Sequence, residues 1–464
     1  MLLIEDEDRS VRQTIESLQH VFGEVAVTVV GSLAEALRAI ETQFFDLAIC
    51  DIQIRSDESS LDASEQHGIA AYEALHLHSP GTPVVFLSAH ASVDNTSSRT
   101  ASGGVADVMG VPAFPLTQVV VKGDPAKIEA YFRRIREGLA DLALCTVFDA
   151  GDSLDEMFVR AVQVYGRSIG STSAEVTPMS GLSKARVGLV RFMQDSNPDA
   201  VVVLKLDSQE RIRHEVALYN RYVANRLTVG CFAPQIRTLD SGLRGMAAVA
   251  SSLASPSSSS LFSRMEASPP PVSIAAVRSA LSGWTAEVDR ITTTIGDYRR
   301  DLLDDEVFVE LPTFRSELTA LDDVQIEISR KLCHGDFHGE NVLVDDDGRV
   351  VVIDFADCGV LPSSLDAAAL ELSLIAHPKS PIEHCWAEVD CSAWADADSF
   401  SRNGPWSTEI RALRDWAIAE SSEIQALVVY YGQACWLMKH KDPGAARASE
   451  VAAAALQRIR ALLA

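Results

Sequence analysis

The chain has 464 residues, of which 47% are hydrophobic, and its formal net charge is −25. This length suffices for two or three domains, since single domains usually contain about 100–200 residues. The excess of acidic residues disfavours nonspecific binding to nucleic acid and to anionic membranes, because both kinds of binding need clustered Lys and Arg. We therefore expect no nucleic-acid partner.

Eight cysteines are scattered along the chain, without a CxxC pair or a mixed Cys/His array at zinc spacing. They are predicted to be free thiols in a reducing compartment. No apolar run approaches the roughly 20 residues that a membrane span needs, and no export signal follows Met1. We therefore expect a cytoplasmic protein without a membrane partner.

Apolar runs typical of strands alternate with helical patterns in the first third of the chain. The predicted strands are Leu2–Ile4, Val25–Val30, Asp46–Cys50, Pro83–Leu87 and Gln118–Val121. This alternation predicts an α/β domain with a five-stranded parallel sheet, in which ligands bind at the carboxyl ends of the strands. The polar residues just past those ends are Glu5, Asp6, Asp51, Ser88 and Lys122. Three carboxylates can hold Mg²⁺, and a hydroxyl and a lysine can contact a phosphoryl group.

This arrangement resembles the receiver domain of two-component response regulators, which has a flavodoxin-like fold, over residues 1–140. The resemblance implies that Glu5 and Asp6 bind a metal together with Asp51, the phospho-acceptor. It also implies that Ser88 is the switch hydroxyl and that Lys122 contacts the phosphoryl group. A histidine kinase or another phosphodonor would then be a partner. Receivers often pair through their last helices, so a homodimer is an open alternative.

Several features of this region bear on the resemblance. Gly68, ahead of the predicted helix Ile69–Leu77, matches the receiver pattern. The polar loop Arg55–Gln66 is longer than receivers usually carry, and the Ser-, Thr- and Gly-rich stretch Ala91–Gly104 is a poor helix former. These departures concern the output face more than the phosphorylation pocket. The simpler interpretation of each polar residue is a helix cap or a turn position.

Residues 141–170 are predicted to form a connecting helix, because apolar residues recur there at helical spacing. Two later stretches, Ser251–Ser260 and Ser268–Ser273, are rich in Ser and Pro and predict a linker over residues 251–273. The segments 171–250 and 274–464 are predicted to be the two lobes of one further domain.

The segment 171–250 contains candidate nucleotide-binding residues. Gly181 and Ser183 lie in a turn of small residues that would let backbone N–H groups approach phosphates, although an ordinary hairpin is the alternative. Lys205 lies within an apolar strand, where an ammonium group needs a partner. Glu215 lies at the edge of the apolar face of the next helix and could supply that partner. A surface salt bridge is the alternative.

The most informative motif is the run HGDFHGEN at residues 334–341. Asp336 could accept the proton of an acceptor hydroxyl, while Asn341 and Asp354 could bind the metal ions that bridge the nucleotide phosphates. Two apolar runs around the polar turn Asp345–Gly348 predict a β-hairpin that returns Asp354 to the metals. The pattern therefore predicts a phosphoryl-transfer site.

This motif resembles the signature of the aminoglycoside phosphotransferase and choline kinase superfamily, relatives of protein kinases, over roughly residues 171–464. The resemblance implies a bilobal, kinase-like α+β fold with a helical C-terminal lobe. It implies ATP and Mg²⁺ as cofactors, Asp336 as the catalytic base, and Asn341 and Asp354 as metal ligands.

The same resemblance assigns supporting roles to other residues. Lys205 would contact the nucleotide phosphates and pair with Glu215. His334 would orient the catalytic loop rather than transfer protons, and Asp366 would steady the loop. His338 has no role assigned by the resemblance.

The unknown phosphoryl acceptor is expected to bind the helical C-terminal lobe. The segment His377–Trp406 combines acidic residues with tryptophans, and such a combination can hold a cationic small molecule by charge and cation–π contact. The alternative is that the acids are solvated and the tryptophans belong to the core. The residues concerned are Glu383, Trp386, Glu388, Asp390, Trp394, Asp396, Asp398 and Trp406.

The sequence thus predicts an ATP- and Mg²⁺-dependent phosphotransferase that acts on a hydroxyl or an amine and is regulated by phosphorylation of Asp51. The alternative is a catalytically weak, nucleotide-binding signalling scaffold whose kinase fold mediates protein interaction. Conventional transcription regulation is disfavoured, because no basic helix-turn-helix follows the predicted receiver.

Overall fold

The computed structural model describes residues 1–88, 105–106, 108–109, 113–122, 124–149, 154–179, 184–193, 200–255, 257–267, 273–386, 388–402, 404–440 and 443–464. The chain forms two compact units. The first contains residues 1–213 and 235–252, and the second contains residues 214–234 and 253–464. In the described ranges, no helix combines the length and the apolar character needed to cross a membrane.

The first unit begins with alternating strands and helices. The strands are β1 (Leu2–Ile4), β2 (Thr28–Val30), β3 (Ala48–Asp51), β4 (Val84–Ser88), β5 (Val105–Ala106), β6 (Phe114–Pro115) and β7 (Thr117–Val121). The helices are α1 (Asp8–Phe22), α2 (Leu33–Thr42), α3 (Glu65–His78) and α4 (Pro125–Ala143). Five of the strands form a parallel sheet in the order β2-β1-β3-β4-β7, and β5 pairs with β6. The predicted five-stranded parallel sheet is confirmed.

Both faces of the parallel sheet are buried. Leu3, Ile49 and Val85 belong to a core that includes residues of α1 and α4, whereas Leu2 and Phe86 belong to a core with α2 and α3. Successive strand residues point to opposite faces, so a strand covered on both sides needs a continuous apolar run. This requirement is why the strands were recognisable in the sequence.

The rest of the first unit is built around a second sheet. Its strands are β8 (Thr146–Asp149), β9 (Ser173–Met179), β10 (Arg186–Met193), β11 (Ala200–Ser208), β12 (Gln235–Leu239) and β13 (Met246–Ser252), in the order β12-β13-β11-β10-β9-β8. Strand β8 runs parallel to β9, and the other pairs are antiparallel. Helix α5 (Glu156–Ser168) lies between β8 and β9 in the chain.

The predicted connecting helix over residues 141–170 is wrong in its first half. Helix α4 ends at Ala143, the strand β8 follows, and helix α5 begins only at Glu156. Thr146, Val147 and Phe148 pair with β9, and β-branched and aromatic residues favour such pairing. Helix α5 begins after Asp155, whose side chain accepts hydrogen bonds from the N–H groups of the first turn.

The two sheets of the first unit share one hydrophobic core. It contains Leu87 and Phe132 from the first part of the chain together with Phe158, Val162 and Val190 from the second. An ion pair between Arg160 and Asp46 adds a polar contact between the same two parts. The five-stranded and six-stranded sheets therefore pack as one body.

The second unit is mainly helical. Helix α6 (Gln209–Leu218) enters it from the first unit and ends in a π-helix, Tyr219–Val223. The other helices are α7 (Leu261–Met265), α8 (Ile274–Ala280), α9 (Ile295–Leu302), α10 (Asp305–Val309), α11 (Leu365–Ala376), α12 (Ile382–Cys385), α13 (Ala397–Ser401), α14 (Ser407–Ala419), α15 (Glu423–Leu437) and α16 (Pro443–Leu463). Short 3₁₀ turns occur at Ser282–Trp284, Ser316–Thr319 and Cys391–Ala393. The predicted helical C-terminal lobe is confirmed.

Two small antiparallel sheets complete the second unit. One has the order β15-β16-β19 and the other β14-β17-β18. The strands are β14 (Ser259–Ser260), β15 (Glu287–Thr294), β16 (Gln325–Cys333), β17 (Val342–Val344), β18 (Val350–Val352) and β19 (Gly359–Pro362). Strands β17 and β18 pair around the turn Asp345–Gly348, so the predicted hairpin is confirmed.

The predicted linker over residues 251–273 contains regular structure. Strand β13 extends to Ser252, β14 pairs with β17, and α7 buries Leu261, Phe262 and Met265. These apolar side chains interrupt the Ser-rich composition and anchor the segment to the core of the second unit. The prediction of a continuous linker is therefore wrong for residues 259–265. Residues 256 and 268–272 lie outside the described ranges.

Candidate functional site

An acidic pocket lies at the carboxyl ends of the parallel strands. Glu5 follows β1 and Asp51 ends β3, and both are buried. Ligand atoms of Glu5, Asp6 and Asp51 lie within 4.8 Å of one another. The three carboxylates predicted from the sequence are thus brought together, at a spacing that suits a shared divalent cation.

Lys122, just past β7, bridges two of these carboxylates. Its Nζ lies 2.8 Å from Glu5 Oε2 and 2.7 Å from Asp51 Oδ2. Burial raises the pKa of Asp51 and the charge of Glu5 adds to this effect, while the hydrogen bond from Lys122 opposes it. Burial alone would lower the pKa of Lys122, but its bonds to both carboxylates raise it. The pocket therefore already pairs its acids with the lysine that the sequence singled out.

Other groups fix the acids in place. Ser10 donates a hydrogen bond of 2.5 Å to Glu5 Oε2, and the Gln53 N–H donates one of 3.1 Å to Asp51 Oδ1. Asp6 pairs with Arg55 Nε at 3.0 Å. Ser88 ends β4, the strand that neighbours both β3 and β7. Sequence reasoning missed Ser10, because a serine in the first turn of a helix is ordinarily a surface residue.

A second site is built on the loop after β16. The Asp366 carboxylate accepts hydrogen bonds from His334 N at 2.9 and 3.1 Å and from Gly335 N at 3.4 Å. Burial raises the pKa of Asp366, while His334 and these N–H groups oppose the rise. The His334 ring is fully buried, and its Nε2 lies 2.9 Å from Ile353 O. Asp366 and His334 therefore make hydrogen bonds that hold the backbone of this loop.

Asn341 closes the same loop. Its Nδ2 donates to Asp336 O at 2.9 Å, and its backbone oxygen accepts from Ile353 N at 3.0 Å. The second bond joins the loop to the residue before Asp354. Asp354 is exposed and has a φ of 62°, a left-handed conformation that costs a non-glycine residue free energy and is often found at functional sites.

Asp336 itself has a half-exposed side chain, 44% accessible, so an acceptor can reach its carboxylate. Burial tends to raise its pKa, but a hydrogen bond from His338 and electrostatic interactions with nearby histidines outweigh that effect and lower the pKa. A carboxylate that is ionised at neutral pH can accept a proton.

Two family models match the sequence. The response regulator receiver domain matches residues 1–109, and the phosphotransferase enzyme family matches residues 264–377. The chain carries a receiver domain and a phosphotransferase-family domain. No curated protein matches the sequence.

Solved structures similar to this chain fall into the same two groups. A CheY-like receiver domain protein from Methanospirillum hungatei JF-1 is 21% identical, with a TM-score of 0.23, over 30% of this chain and 95% of that chain. Aminoglycoside phosphotransferase APH(4)-Ia is 15% identical, with a TM-score of 0.36, over 61% and 93%. Choline kinase LicA from Streptococcus pneumoniae is 13% identical, with a TM-score of 0.34, over 66% and 100%.

Lys205 and Glu215, two of the predicted nucleotide-binding residues, belong to different units of the structure. Lys205 lies in β11, opposite Val187 and Val249, and belongs to the first unit. Glu215 is buried in α6 and belongs to the second unit. Their ion pair therefore stays a prediction. Gly181 and Ser183 lie outside the described residues.

The predicted cationic-acceptor segment is explained by packing. Trp386, Trp394 and Trp406 are buried in the core of the second unit. Asp390 and Asp396 cap short helical turns, and the other acids described there include exposed ion-pair partners. The alternative interpretation, core tryptophans and solvated acids, is confirmed for these tryptophans.

Sequence reasoning missed several residues around Asp336. His338 Nε2 lies 3.4 Å from Asp336 Oδ2, and its ring lies 4.7 Å from the ring of His377, centroid to centroid. Lys439, from the end of α15, lies close enough for the Asp336 charge to act on its pKa, which burial lowers overall. His377 and Lys439 lie far in the sequence from the HGDFHGEN motif at residues 334–341, so no pattern within that motif could have identified them.

Gly68 of the receiver domain yields a testable prediction. A Cβ there would lie 2.4 Å from Ile52 O and 2.8 Å from Asp51 O. We expect Gly68→Ala to lower the unfolding free energy by about 1–3 kcal/mol, because the overpacking outweighs the better helix propensity of alanine. Urea unfolding of the full chain would measure the loss. In the control Gly31→Ala the nearest neighbour lies 3.7 Å away, and equal behaviour of both variants would contradict the prediction.

Proposed function

We propose that the protein is an ATP- and Mg²⁺-dependent phosphotransferase that acts on a hydroxyl or an amine and is regulated by phosphorylation of its receiver domain at Asp51. The observation that carries the first part is the braced loop, in which Asp366 and Asn341 hold the backbone on both sides of an accessible, ionised Asp336. The match to the phosphotransferase family supports the same reaction.

Asp336 is proposed to act as the general base. As the acceptor oxygen or nitrogen forms a bond to the γ-phosphorus, the bond from that phosphorus to the β-phosphate oxygen breaks and ADP leaves. The proton of the acceptor passes to the Asp336 carboxylate. His338 Nδ1 accepts a hydrogen bond from Glu340 N at 3.2 Å, and its Nε2 lies 3.4 Å from Asp336 Oδ2 and 3.2 Å from Asn341 Nδ2, so these contacts fix the ring beside the Asp336 carboxylate. His338 therefore orients the base.

Asn341 and Asp354 fit the Mg²⁺ that such a reaction needs. The amide nitrogen of Asn341 is bonded to Asp336 O, which leaves its oxygen to face a cation. Asp354 offers an exposed carboxylate on a left-handed backbone. Both are oxygen ligands, which Mg²⁺ prefers. When bound, Mg²⁺ neutralises charge on the transferring phosphoryl group. Lys205 and Glu215 are proposed to position the ATP phosphates.

Asp51 is proposed to be the residue that a histidine kinase or another phosphodonor phosphorylates. Glu5, Asp6 and Asp51 form a cluster of oxygen ligands that fits Mg²⁺. A phosphoryl group on Asp51 adds negative charge beside Lys122, with Ser88 at the end of the neighbouring strand. A change in the bonds that Lys122 makes is then the first structural consequence. A cytoplasmic location is part of the same proposal.

One turn links the receiver domain to helix α6. This turn, residues 240–245 between β12 and β13, is called the β12–β13 turn. Gly242 N donates to Pro80 O at 2.7 Å, and Arg244 Nη2 donates to Glu41 O at 3.3 Å. Gln209, the first residue of α6, bonds to the same turn through its backbone N and its side chain, at 3.0 and 2.7 Å. The receiver domain and the start of α6 are thus held by one short segment.

This linkage supports regulation of the phosphotransferase by the receiver domain. Helix α6 carries Glu215, the residue proposed to pair with Lys205. In protein kinases, activity depends on the position of the helix that supplies this glutamate. A shift of the end of α2 at Glu41, or of the loop at Pro80, would be passed to Gln209 through the β12–β13 turn. We propose this turn as the coupling element.

Turnover measured in two states of the receiver domain tests both parts of the proposal. Mg·ATP is supplied with a panel of hydroxyl and amine compounds, and ADP formation is followed with and without beryllofluoride, which mimics a phosphoryl group on aspartate. We expect acceptor-dependent turnover whose rate changes with beryllofluoride in the wild type and not in Asp51→Asn. ATP binding without acceptor-dependent turnover would favour the scaffold. Unchanged rates with beryllofluoride would contradict regulation.

A further inference from the structure

Lys439 places one positive charge near Asp336 in the second unit. Lys439 is exposed near Asp336, and its pKa responds to that carboxylate. The nearby carboxylate of Glu340 is already paired with Lys379, Nζ to Oε2, at 3.2 Å. His338 and His377 lie beside Asp336 as well, and burial lowers the pKa of His377 to about 4, so its ring is neutral.

A half-buried tryptophan lies beside this charge. Lys439 Nζ is 3.6 Å from the ring centroid of Trp436, and the ring of His440 meets the same tryptophan edge-on with centroids 5.6 Å apart. These three residues, in the last turn of α15 and just after it, are called the Trp436 surface. Within the described ranges, no carboxylate lies at ion-pair distance from Lys439. The group in direct contact with its ammonium is therefore the tryptophan ring.

This arrangement disfavours a cationic acceptor. A cation approaching Asp336 along this surface would be repelled by Lys439, which already occupies the face of Trp436 that attracts positive charge. The tryptophans that could have formed a separate cation site are buried in the core. An anionic group, by contrast, would gain a charge-assisted contact with the Lys439 ammonium.

We infer that the Trp436 surface binds a carboxylate or phosphate group of the acceptor, while the acceptor hydroxyl faces Asp336. The inference rests on the proposed phosphotransferase function and names its substrate class, a hydroxylated compound that carries an anionic group. Lys439 determines the charge preference, and Trp436 holds the Lys439 ammonium by cation–π contact. Lys439 is a specificity residue rather than part of the bond-breaking machinery.

Binding of four related pyranoses tests the inference without requiring turnover. Glucose is neutral, glucose 6-phosphate and glucuronate are anionic, and glucosamine is cationic. Each is titrated calorimetrically into the full chain saturated with Mg·ADP, so that the nucleotide's phosphates occupy their own site. We expect the anionic sugars to bind about tenfold more tightly than glucose, as a hydrogen bond to a charged group predicts, and glucosamine to bind most weakly. The two anionic sugars separate a phosphate from a carboxylate preference.

Three variants show whether Lys439 is responsible. Lys439→Met should remove the preference for anionic sugars, and Lys439→Arg should retain it. The control Lys127→Met alters an exposed lysine of the receiver domain that pairs with Asp124 and should change nothing. Glucosamine binding as tightly as the anionic sugars, no binding of either anionic sugar, or a preference that survives Lys439→Met would each overturn the inference.

Kinetics separate this inference from the proposed function. Where an anionic acceptor is turned over, Lys439→Met should raise its KM about tenfold with little change in kcat. A lower kcat at unchanged KM would overturn the inference, because Lys439 would then act on the reacting atoms. An anion preference that depends on Lys439, without any Asp336-dependent turnover, would refute the phosphotransferase proposal and leave the anion site standing.

Discussion

Replacing Asp336 with asparagine is expected to slow acceptor phosphorylation about 10²–10⁴-fold, the usual contribution of a general base. Asparagine has nearly the same size, and the bond between Asn341 Nδ2 and Asp336 O involves only the backbone of residue 336. The loop should therefore keep its shape while the proton acceptor is lost. The measurement is kcat under saturating Mg·ATP, together with the affinity for Mg·ADP, which should not change.

Asp347→Asn is the matched control for Asp336→Asn. Asp347 is an exposed acid on the turn of the β17–β18 hairpin, next to the same loop in the chain, and it lies outside the proposed machinery. The control should keep the wild-type rate. If Asp336→Asn and the wild type phosphorylate an acceptor equally fast, Asp336 is not the base. A parallel loss of nucleotide affinity would instead indicate that the loop had been distorted.

The parts of the two sites that sequence reasoning identified are those with local or repeated signals. The strands of the receiver domain are continuous apolar runs because both faces of the sheet are buried. In a parallel sheet all strand ends lie at one edge, so Asp51 and Lys122 could be placed together without knowing any loop. The catalytic loop is similar, since Asp336 and Asn341 are five residues apart and bonded to each other.

The surroundings of Asp336 could not be predicted in the same way. Lys439 and His377 follow the carboxyl ends of helices α15 and α11, and their distance to Asp336 depends on how those helices pack in the core. Packing between distant helices leaves no spacing rule in a single sequence. The tryptophans of the segment 377–406 illustrate the converse error, because aromatic residues beside acids suggested a cation site although the aromatic rings face inward.

The strand β8 shows how tertiary pairing overrides a local pattern. The apolar spacing that predicted a helix over residues 141–170 belongs to α5 alone. The four residues of β8 are too few to give a periodic signal, and their partner strand β9 follows only after α5. The consequence is functional, because β8 and α5 join the receiver domain to the six-stranded sheet. The sequence predicted two separate domains, and that prediction gave no indication that the two sheets share one hydrophobic core.

A variant of the receiver domain is expected to uncouple it from the phosphotransferase. Gly81 has a φ of +86°, and a Cβ there would lie 2.4 Å from Gly242 N and 2.7 Å from Val108 Cγ1. Gly81→Ala should therefore push the β12–β13 turn away from Pro80 and weaken the bond between Gly242 N and Pro80 O. We expect the rate change caused by beryllofluoride to be abolished, while basal turnover persists.

Gly23→Ala separates this contact from backbone strain. Gly23 also has a positive φ, +75°, and lies in the receiver domain, but a Cβ there would meet nothing within 4 Å. Both variants should lose about 1–2 kcal/mol of unfolding free energy from the left-handed conformation. Gly81→Ala should lose about 1–3 kcal/mol more, because the added methyl group overpacks the contact. Urea unfolding of the full chain measures both losses.

The beryllofluoride response and the unfolding free energy together decide whether the β12–β13 turn couples the receiver domain to helix α6. Because Gln209 bonds to the turn at Gly245 and Asp240, a displaced turn should release the first residue of α6 from the receiver domain. A beryllofluoride response that is lost in Gly81→Ala and kept in Gly23→Ala would place the coupling at this contact. A response kept in both variants would mean that the signal travels through the shared core around Phe158 and Val162 instead. Replacement of Gln209 by alanine should then also leave the response intact, whereas coupling through the turn requires that this variant weaken it.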